Sequence, residues 1–399
     1  MAILHFGWRD ALLILAAIPL LYYLAASVAS LRFFRRERRR TLPRYTPPVS
    51  LLKPVRGADA RTYESFSSFC RQDYPDYEIL FAVNDASDGA VPWIRRLIEE
   101  LPARAIRLVI GAESLGANRK VNKLARLARE ARNEILVLSD GDVRVDPNYL
   151  REVVAPLADE GVGAVTCFYR GIAERNLGAE LEAIGASSDF FAGVLMAELT
   201  EGVNFALGAS IATTKRWLAA IGGFETIAGM LSDDYELGRR IAAAGGRVLL
   251  SREPVWTGYS AQTARSFWEH QVRWARTVRI CRPLSFLGLI FTLGLPWAVL
   301  AAVVAPARWI AAAYLVLYLA LRLVSAWVVG VWGVGDDLLR RKLWLVPLRD
   351  AIYFFVWLAA FVSNRVVWSG EVYKVKKGRM IPVGPSEPRQ STSAAAPRG

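Results

Sequence analysis

Histidine and cysteine are the residues this 399-residue chain uses least, with two histidines, His5 and His270, and three cysteines, Cys70, Cys167 and Cys281. The cysteines lie far apart and form no C-x-x-C pair, which excludes a zinc ribbon and a disulfide framework and fits a reducing compartment. Two histidines exclude a His-rich metal site and leave little material for a Ser-His-Asp triad. No internal repeat divides the chain.

Charge is also missing, in blocks. Residues 11–30 carry none, and twenty helical residues at ~1.5 Å each cover the ~30 Å hydrocarbon core of a bilayer. The run is too long for a signal-peptide core, lacks a small-residue cleavage site and is followed, not preceded, by its positive charge. That charge is Arg32, Arg35, Arg36, Arg38, Arg39, Arg40 and Arg44, opposed only by Glu37. The positive-inside rule then places the N-terminus outside and residues 41–283 in the cytosol. The formal net charge of +13 raises nucleic acid as a partner. The Arg block sits beside a span, however, where each Arg gains about 1 kcal/mol from anionic headgroups, and no nucleic-acid motif accompanies it. A membrane surface is the expected partner and nucleic acid is not.

From residue 284 apolar runs return at 284–305, 309–332 and 344–362, which predicts a C-terminal membrane region of about three segments over 284–375. Arg322 interrupts the second run and the adjacent Arg349 and Asp350 the third. Helical neighbours do not face each other, so both members of that pair need partners elsewhere, and the last run could be interfacial or re-entrant. The basic stretch Lys374, Lys376, Lys377 and Arg379 belongs on the cytosolic side by charge, whereas four full crossings would put it outside. Residues 376–399, ending in Pro, Ser and Ala, are expected to be a disordered tail.

Between these ends, a span over 1–31 and a basic linker over 32–48 lead into a soluble domain over 49–283. Strand-like runs at 49–52, 79–83, 106–110, 135–138, 162–167 and 248–250 alternate with helical patterns such as 91–101 and 120–131. The expected fold class is therefore α/β, with ligands bound at the carboxyl ends of the strands.

Carboxylates stand where such strands end. The run 135–138 leads into Ser139-Asp140-Gly141-Asp142, a D-x-D that can converge two hard oxygen ligands on one Mg²⁺ or Mn²⁺. Such an ion would bridge a diphosphate and neutralise a leaving group; a D-G-D alone is also an ordinary turn. Asp85 ends the run 79–83, suited to a base or ribose, or to capping a turn with Asp88-Gly89. Ser232-Asp233-Asp234 opens a helix, where one acid caps and the other can act as general base. His270, Gln271, Arg273 and Trp274 precede the next apolar run; such a stretch anchors at an interface, yet Arg273 can grip a diphosphate and Trp274 can wall an acceptor site. The run 177–199, with Phe190 and Phe191, reads either as core or as an acceptor-facing amphipathic helix.

The order Lys53-Pro54-x-x-Gly57, Asp85, Asp140-Gly141-Asp142, Asp234 and His270-x-x-Arg273-Trp274 resembles the inverting glycosyltransferases of the ceramide glucosyltransferase family, over roughly residues 1–375. The phrases FCRQDYPDY (69–77), GANRKVN (116–122), IGGF (221–224) and SDDY (232–235) support it. The resemblance implies a nucleotide-diphospho-sugar transferase (GT-A) domain with N- and C-terminal transmembrane helices. It implies a UDP-sugar donor and a single sugar moved with inversion onto a membrane lipid hydroxyl. Asp85 then matches the first family aspartate, near the uracil, and Asp140 the second, at metal and diphosphate, with Asp142 completing the metal pair. Asp234 matches the third, the catalytic base; Arg273 and Trp274 match the closing motif; Lys53 and Lys120 fall in stretches that line the donor pocket. His270 departs from the family's Gln or Arg, as in bacterial relatives that glycosylate hopanoids, so ceramide and hopanoid both stand as acceptors. The resemblance places the enzyme in the inner membrane of a bacterium or the Golgi of a eukaryote, its catalytic domain facing the cytosol. A processive polysaccharide synthase shares these motifs, but four candidate segments are few for a polymer channel. Retention of every expected acid counts against an inactive scaffold.

Overall fold

The computed structural model describes residues 7–383 apart from residue 369; His5 and the tail from 384 lie outside the described residues. Strands β1 (Val49–Pro54), β2 (Tyr77–Val83) and β4 (Ile135–Ser139) are buried at every position, as mostly apolar strands in a covered sheet should be. With β3 (Ala105–Ile110) at the edge they form a parallel half-sheet in the order β3-β2-β1-β4. Beyond β4 the sheet turns mixed. β7 (Ser210–Thr214) runs antiparallel to both β4 and β6 (Val162–Ala173). β8 (Arg247–Tyr259) runs parallel to β6, and the short β5 (Val143–Arg144) closes the edge antiparallel to it.

Strand β7 was not readable as a strand because Ser-Ile-Ala-Thr-Thr looks polar. Its polarity is matched internally: Thr213 Oγ1 donates to the Gly163 carbonyl at 2.7 Å, and the Ser210 carbonyl accepts from Thr166 Oγ1 at 3.0 Å. Buried hydroxyls are tolerated when paired in this way.

The N-terminal apolar run and most of the Arg cluster form one helix, Trp8–Arg39, so the expected linker is helical as far as Arg39. Its arginines are not all given to solvent. Arg36 bonds Glu198 at 2.9 Å, and Arg38 donates to the Trp332 carbonyl at 2.6 Å while lying over the Trp332 ring.

Among the described residues, three helices are long and apolar enough to cross a membrane, Trp8–Arg39, Arg308–Val334 and Leu343–Ala360, and the pair Pro283–Thr292 and Gly294–Val304 qualifies together with a 47° bend. The bend leaves backbone groups without helical partners. Tyr23 serves them, donating its hydroxyl to the Thr292 carbonyl at 3.0 Å and accepting from Gly294 N at 2.9 Å. Any Cβ on Gly294 would lie 2.6 Å from that hydroxyl, so the staple requires glycine.

The charges that interrupt the apolar runs find each other. Arg322 Nε meets Asp350 Oδ2 at 2.9 Å, Tyr318 donates to Asp350 at 2.8 Å, and Arg322 Nη2 also pairs with Asp189. Arg349 donates instead to Gln271 Oε1 at 3.1 Å. Both ends of Leu343–Ala360 approach the α/β domain. Lys342 pairs with Glu180 at 2.5 Å before it, and Arg276 donates to the Arg365 carbonyl at 2.9 Å after it.

The chain then forms a three-stranded antiparallel sheet of β9 (Arg365–Trp368), β10 (Glu371–Lys376) and β11 (Arg379–Pro382). This corrects the expected tail and membrane boundary: residues 376–382 are ordered. Lys377 and Gly378 both hold positive φ, 48° and 79°, the turn geometry that joins tight hairpins. Tyr373, Val375 and Met380 bury one face against Leu231 and Val366, leaving the basic residues opposite. Backbone bonds dock the sheet, Leu231 N to the Gly378 carbonyl and Met380 N to the Gly229 carbonyl, each 2.9 Å.

Candidate active site

Two cavities meet at the carboxyl end of β4. The smaller, about 530 Å³, lies over the loop after β1, and the larger, about 900 Å³, extends from the sheet down among the apolar helices. Lys120, Asp140, Asp142 and Trp368 line both. Asp234, His270, Arg273 and Trp274 line the larger one, so the structure brings seven of the nine expected site residues to one space.

Asp140 follows β4 directly. Its Oδ1 takes the Lys120 ammonium at 2.7 Å, and Lys120 reaches Asp233 Oδ2 at 3.2 Å. Lys120 stands in the first turn of the helix Arg119–Glu130, which Asn118 caps by accepting from Lys120 N and Val121 N. Asn118 Nδ2 also bonds Asp233 Oδ1 at 3.2 Å, which ties the two helix starts together. Burial works against the charge on Lys120, but Asp140, Asp233 and Asp234 outweigh it and hold the ammonium above its ordinary pKa. Asp142 opens onto both cavities, yet enclosure by protein and the neighbouring Asp140 push its carboxyl up to about 6.

Asp234 lies in the first turn of the helix Asp233–Ala243. Its Oδ1 accepts from Ser232 Oγ and Tyr235 N, both at 2.8 Å. Its Oδ2 faces Gly208, where a Cβ would stand 2.7 Å away. Burial first, then the charge of Asp233, raises the Asp234 carboxyl above the usual carboxylate range. A carboxylate held by one oxygen, with the other turned to a cavity and its pKa raised, has the properties of a general base.

On the helix Ala264–Cys281, the Arg273 guanidinium faces the cavity with no hydrogen bond or ion pair to any described residue, and burial lowers its pKa against the opposing pull of Glu182. Trp274 packs on Phe190 with ring centroids 5.4 Å apart. His270 Nδ1 stands 2.6 Å from Glu182 Oε1, its ring turned so that no well-aligned hydrogen bond forms. Burial works against the Glu182 charge, but His270 and Gln262 hold its carboxyl below the usual range.

Two expected residues sit elsewhere. Lys53 is fully buried behind the loop, its Nζ donating to the Asp140 carbonyl at 2.8 Å and lying 3.7 Å from the centroid of the Phe69 ring. It positions the D-x-D turn from beneath and lines neither cavity. Asp85 is exposed, accepting from Ser87 N at 3.0 Å, and lines neither cavity, because its turn folds back on itself.

Sequence reading missed Lys123, which lines the smaller cavity and donates to the Val55 carbonyl at 2.7 Å. It also missed Tyr373 and Trp368, which the C-terminal sheet brings to the cavity walls. Gly208 carried no local signal. Lys123 did carry one, one helical turn after Arg119 within the stretch that holds Lys120.

Among the described residues no three His, Cys, Asp or Glu side chains converge as a ready-made metal cage. The mixed sheet with acids at the end of β4 defines the class: a glycosyltransferase of GT-A fold. A mannosyltransferase from Pyrobaculum calidifontis, solved with GDP-Man and Mn²⁺, shares that fold at a TM-score of 0.54 and 22% identity, covering 87% of this chain and 99% of that one. The family model for glycosyl transferase family 21 matches residues 11–381, and the chain belongs to that family. It is 27% identical over 235 residues to ceramide glucosyltransferase 3 of Caenorhabditis elegans, covering 58% of this chain and 50% of that protein. It is 30% identical over 153 residues to the ceramide glucosyltransferase of Komagataella phaffii, covering 35% and 30%. The chain thus spans about half, or less, of the length of these curated relatives.

Proposed function

We propose that the protein moves one sugar from a UDP-sugar to a hydroxyl of a membrane lipid, ceramide first among the acceptors, with inversion at the anomeric carbon. The observation that carries this reading is the junction of the two cavities. Acids suited to a diphosphate and to proton abstraction stand where a pocket with several charged residues on its wall meets one that runs among apolar helices. The smaller cavity takes the nucleotide, with Lys123 and Tyr373 on its wall. Arg273, a cation without a side-chain partner among the described residues, faces the space where the diphosphate emerges. The lipid enters the larger cavity from the helices, and its hydroxyl meets Asp234 Oδ2, which removes the proton as the oxygen attacks. Glu182 holds His270 beside Arg273 and Trp274, on the acceptor side.

The donor set fits a Mg²⁺ or Mn²⁺ held by Asp140 and Asp142 together with substrate phosphates, the usual way such ions bind without a full protein cage. Burial first, then the charge of Asp140, raises the Asp142 carboxyl to about 6, against the pull of Lys53 and Lys120. When bound, the ion would neutralise charge on the leaving diphosphate. Lys120, between Asp140 and Asp233, supplies positive charge at the same point.

The Arg-rich end of Trp8–Arg39 supports a cytosolic α/β domain by the positive-inside rule. The bent pair over 283–304 then crosses outward and Arg308–Val334 crosses back. Leu343–Ala360 lies along the interface, because both its ends meet the α/β domain, and the C-terminal sheet stays in the cytosol.

The test uses the full chain in lipid nanodiscs with radiolabelled UDP-sugars and ceramide, followed by mass spectrometry of the lipid. One sugar per lipid, lost on chelation and restored by Mn²⁺ or Mg²⁺, supports the reading. A polymeric product, or no lipid product with any UDP-sugar, refutes it.

A further inference from the structure

The C-terminal sheet has two faces of different character. Its inner face carries Trp368 and Tyr373 to the cavity walls. Backbone bonds from Leu231 N to the Gly378 carbonyl and from Met380 N to the Gly229 carbonyl tie it to the loop ahead of Asp233 and Asp234. Alternate residues form the outer face. Arg365, Lys374, Lys376 and Arg379 stand there, all exposed, and their side chains pair with no carboxylate among the described residues. The acid of this sheet, Glu371, is on the inner face and pairs with Arg119.

The register makes the outer face unfavourable in isolation. Lys374 lies directly opposite Arg365, and Lys376 directly opposite Arg379. Like charges so placed destabilise a sheet, and an anionic surface laid against them would relieve both pairs. The same face is apolar in part: Val367, opposite Val372, is 60% exposed, and Ile381, opposite Lys374, is 46% exposed. Cations interleaved with exposed apolar residues fit a headgroup boundary, where the charges meet phosphates and the apolar side chains reach the acyl edge. A soluble polyanion satisfies only the charges.

Position agrees with this. The first strand begins five residues after the apolar helix Leu343–Ala360 ends. Between them Phe361 packs on Phe286 of the bent pair, with ring centroids 5.4 Å apart, and Val362 is 83% exposed. The sheet therefore starts at the level where the apolar helices end.

Resting on the reading of those helices as membrane segments, we propose that the outer face of the C-terminal sheet docks on the anionic headgroups of the bilayer that holds the protein. Docking offsets the like-charge repulsion and steadies the inner face on the 229–231 loop, so membrane charge sets how firmly one wall of the active-site cavity is held.

The test follows backbone hydrogen exchange of the full chain in nanodiscs of phosphatidylcholine, with and without phosphatidylserine. Exchange over 365–382 and at Leu231 should slow about tenfold in the anionic discs at about 0.1 M salt. At about 1 M salt, where the screening length falls to ~3 Å, the difference should shrink to within about twofold. K374Q/K376Q/R379Q should lose the difference, yet exchange no faster than wild type in neutral discs, because it removes the opposed charges. R35Q/R39Q, in the other basic cluster, should keep the difference. Equal exchange in the two discs, or a difference that the triple variant retains, overturns the docking. Slowing by inositol hexakisphosphate in neutral discs, without slowing by phosphatidylserine, assigns the face to a soluble polyanion and overturns it too. Slowing over 365–382 with Leu231 unchanged overturns the link to the active site. The measurement needs no turnover, so a failure to glycosylate any lipid would refute the proposed function and leave this surface standing.

Discussion

Replacing Asp234 with asparagine separates chemistry from folding. Asp234 Oδ1 accepts from Ser232 Oγ and Tyr235 N, and an asparagine carbonyl keeps both bonds. The change is confined to the atom facing Gly208 and the cavity. Loss of a general base costs about 10²–10⁴ in rate, or roughly 3–5 kcal/mol of barrier. Stability should move the other way. Burial and Asp233 raise the Asp234 pKa, so folding favours its protonated form. That contribution is complete below the unfolded carboxylate pKa of about 4 and is lost as pH rises through the higher folded value. At neutral pH the wild type bears the cost of an ionised, crowded carboxylate, and D234N does not. The variant should therefore transfer sugar at least about a hundredfold more slowly, bind UDP-sugar normally and melt no lower than wild type near pH 7. The wild-type rate should rise with pH through an apparent pKa above the ordinary carboxylate range. Single-turnover transfer, calorimetric donor titration and thermal melts across pH measure all of these. Wild-type turnover in D234N, or a large drop in its melting temperature, would refute the reasoning.

Other substitutions probe the surrounding shell. G208A puts a Cβ 2.7 Å from Asp234 Oδ2 and should cut kcat about a hundredfold with an unchanged donor KM, read by steady-state kinetics. Lys53, its pKa pushed down to about 7 by burial against the pull of Asp142 and Asp140, binds fewer protons folded than unfolded between that value and the ordinary 10.5. Wild-type stability should therefore gain on that of K53M as pH rises through that window and lose the gain as pH falls through about 7, measured by paired melts. D350N leaves the buried Arg322 with Asp189 as its remaining carboxylate and should cost about 1–3 kcal/mol, whereas R322M strips both Asp350 and Asp189 of their cation and should cost about 3–5 kcal/mol; denaturation in detergent decides. W368A removes the ring shared by both cavities and should raise the KM of each substrate roughly tenfold, near 1.4 kcal/mol apiece. An effect on one substrate alone would contradict that placement.

The parallel strands were legible because apolar residues dominate each of them, with Ser50, Glu78 and Arg107 among the few interruptions, and Asp140 and Asp142 were legible because a strand end is a local event. Asp234 and Arg273 were found the same way, as charges at a helix start and beside an apolar run. Lys53 and Asp85 show where such reading stops. Both follow or end buried strands, yet one turns inward under the D-x-D loop and the other turns outward, and nothing in their neighbouring residues distinguishes the two outcomes.

What the sequence determined by itself, then, is whatever period and turn chemistry encode over a few residues: strands, helices, apolar segments and their acids. The tertiary structure alone decided which distant groups meet. Arg322 finds Asp189 across 133 positions and Tyr23 finds Gly294 across 271. The C-terminal hairpin becomes a cavity wall only because Gly229 and Leu231 offer it backbone partners. A charge or a free backbone group in an apolar setting demands a partner, but the demand does not name one; the packing of the whole chain does.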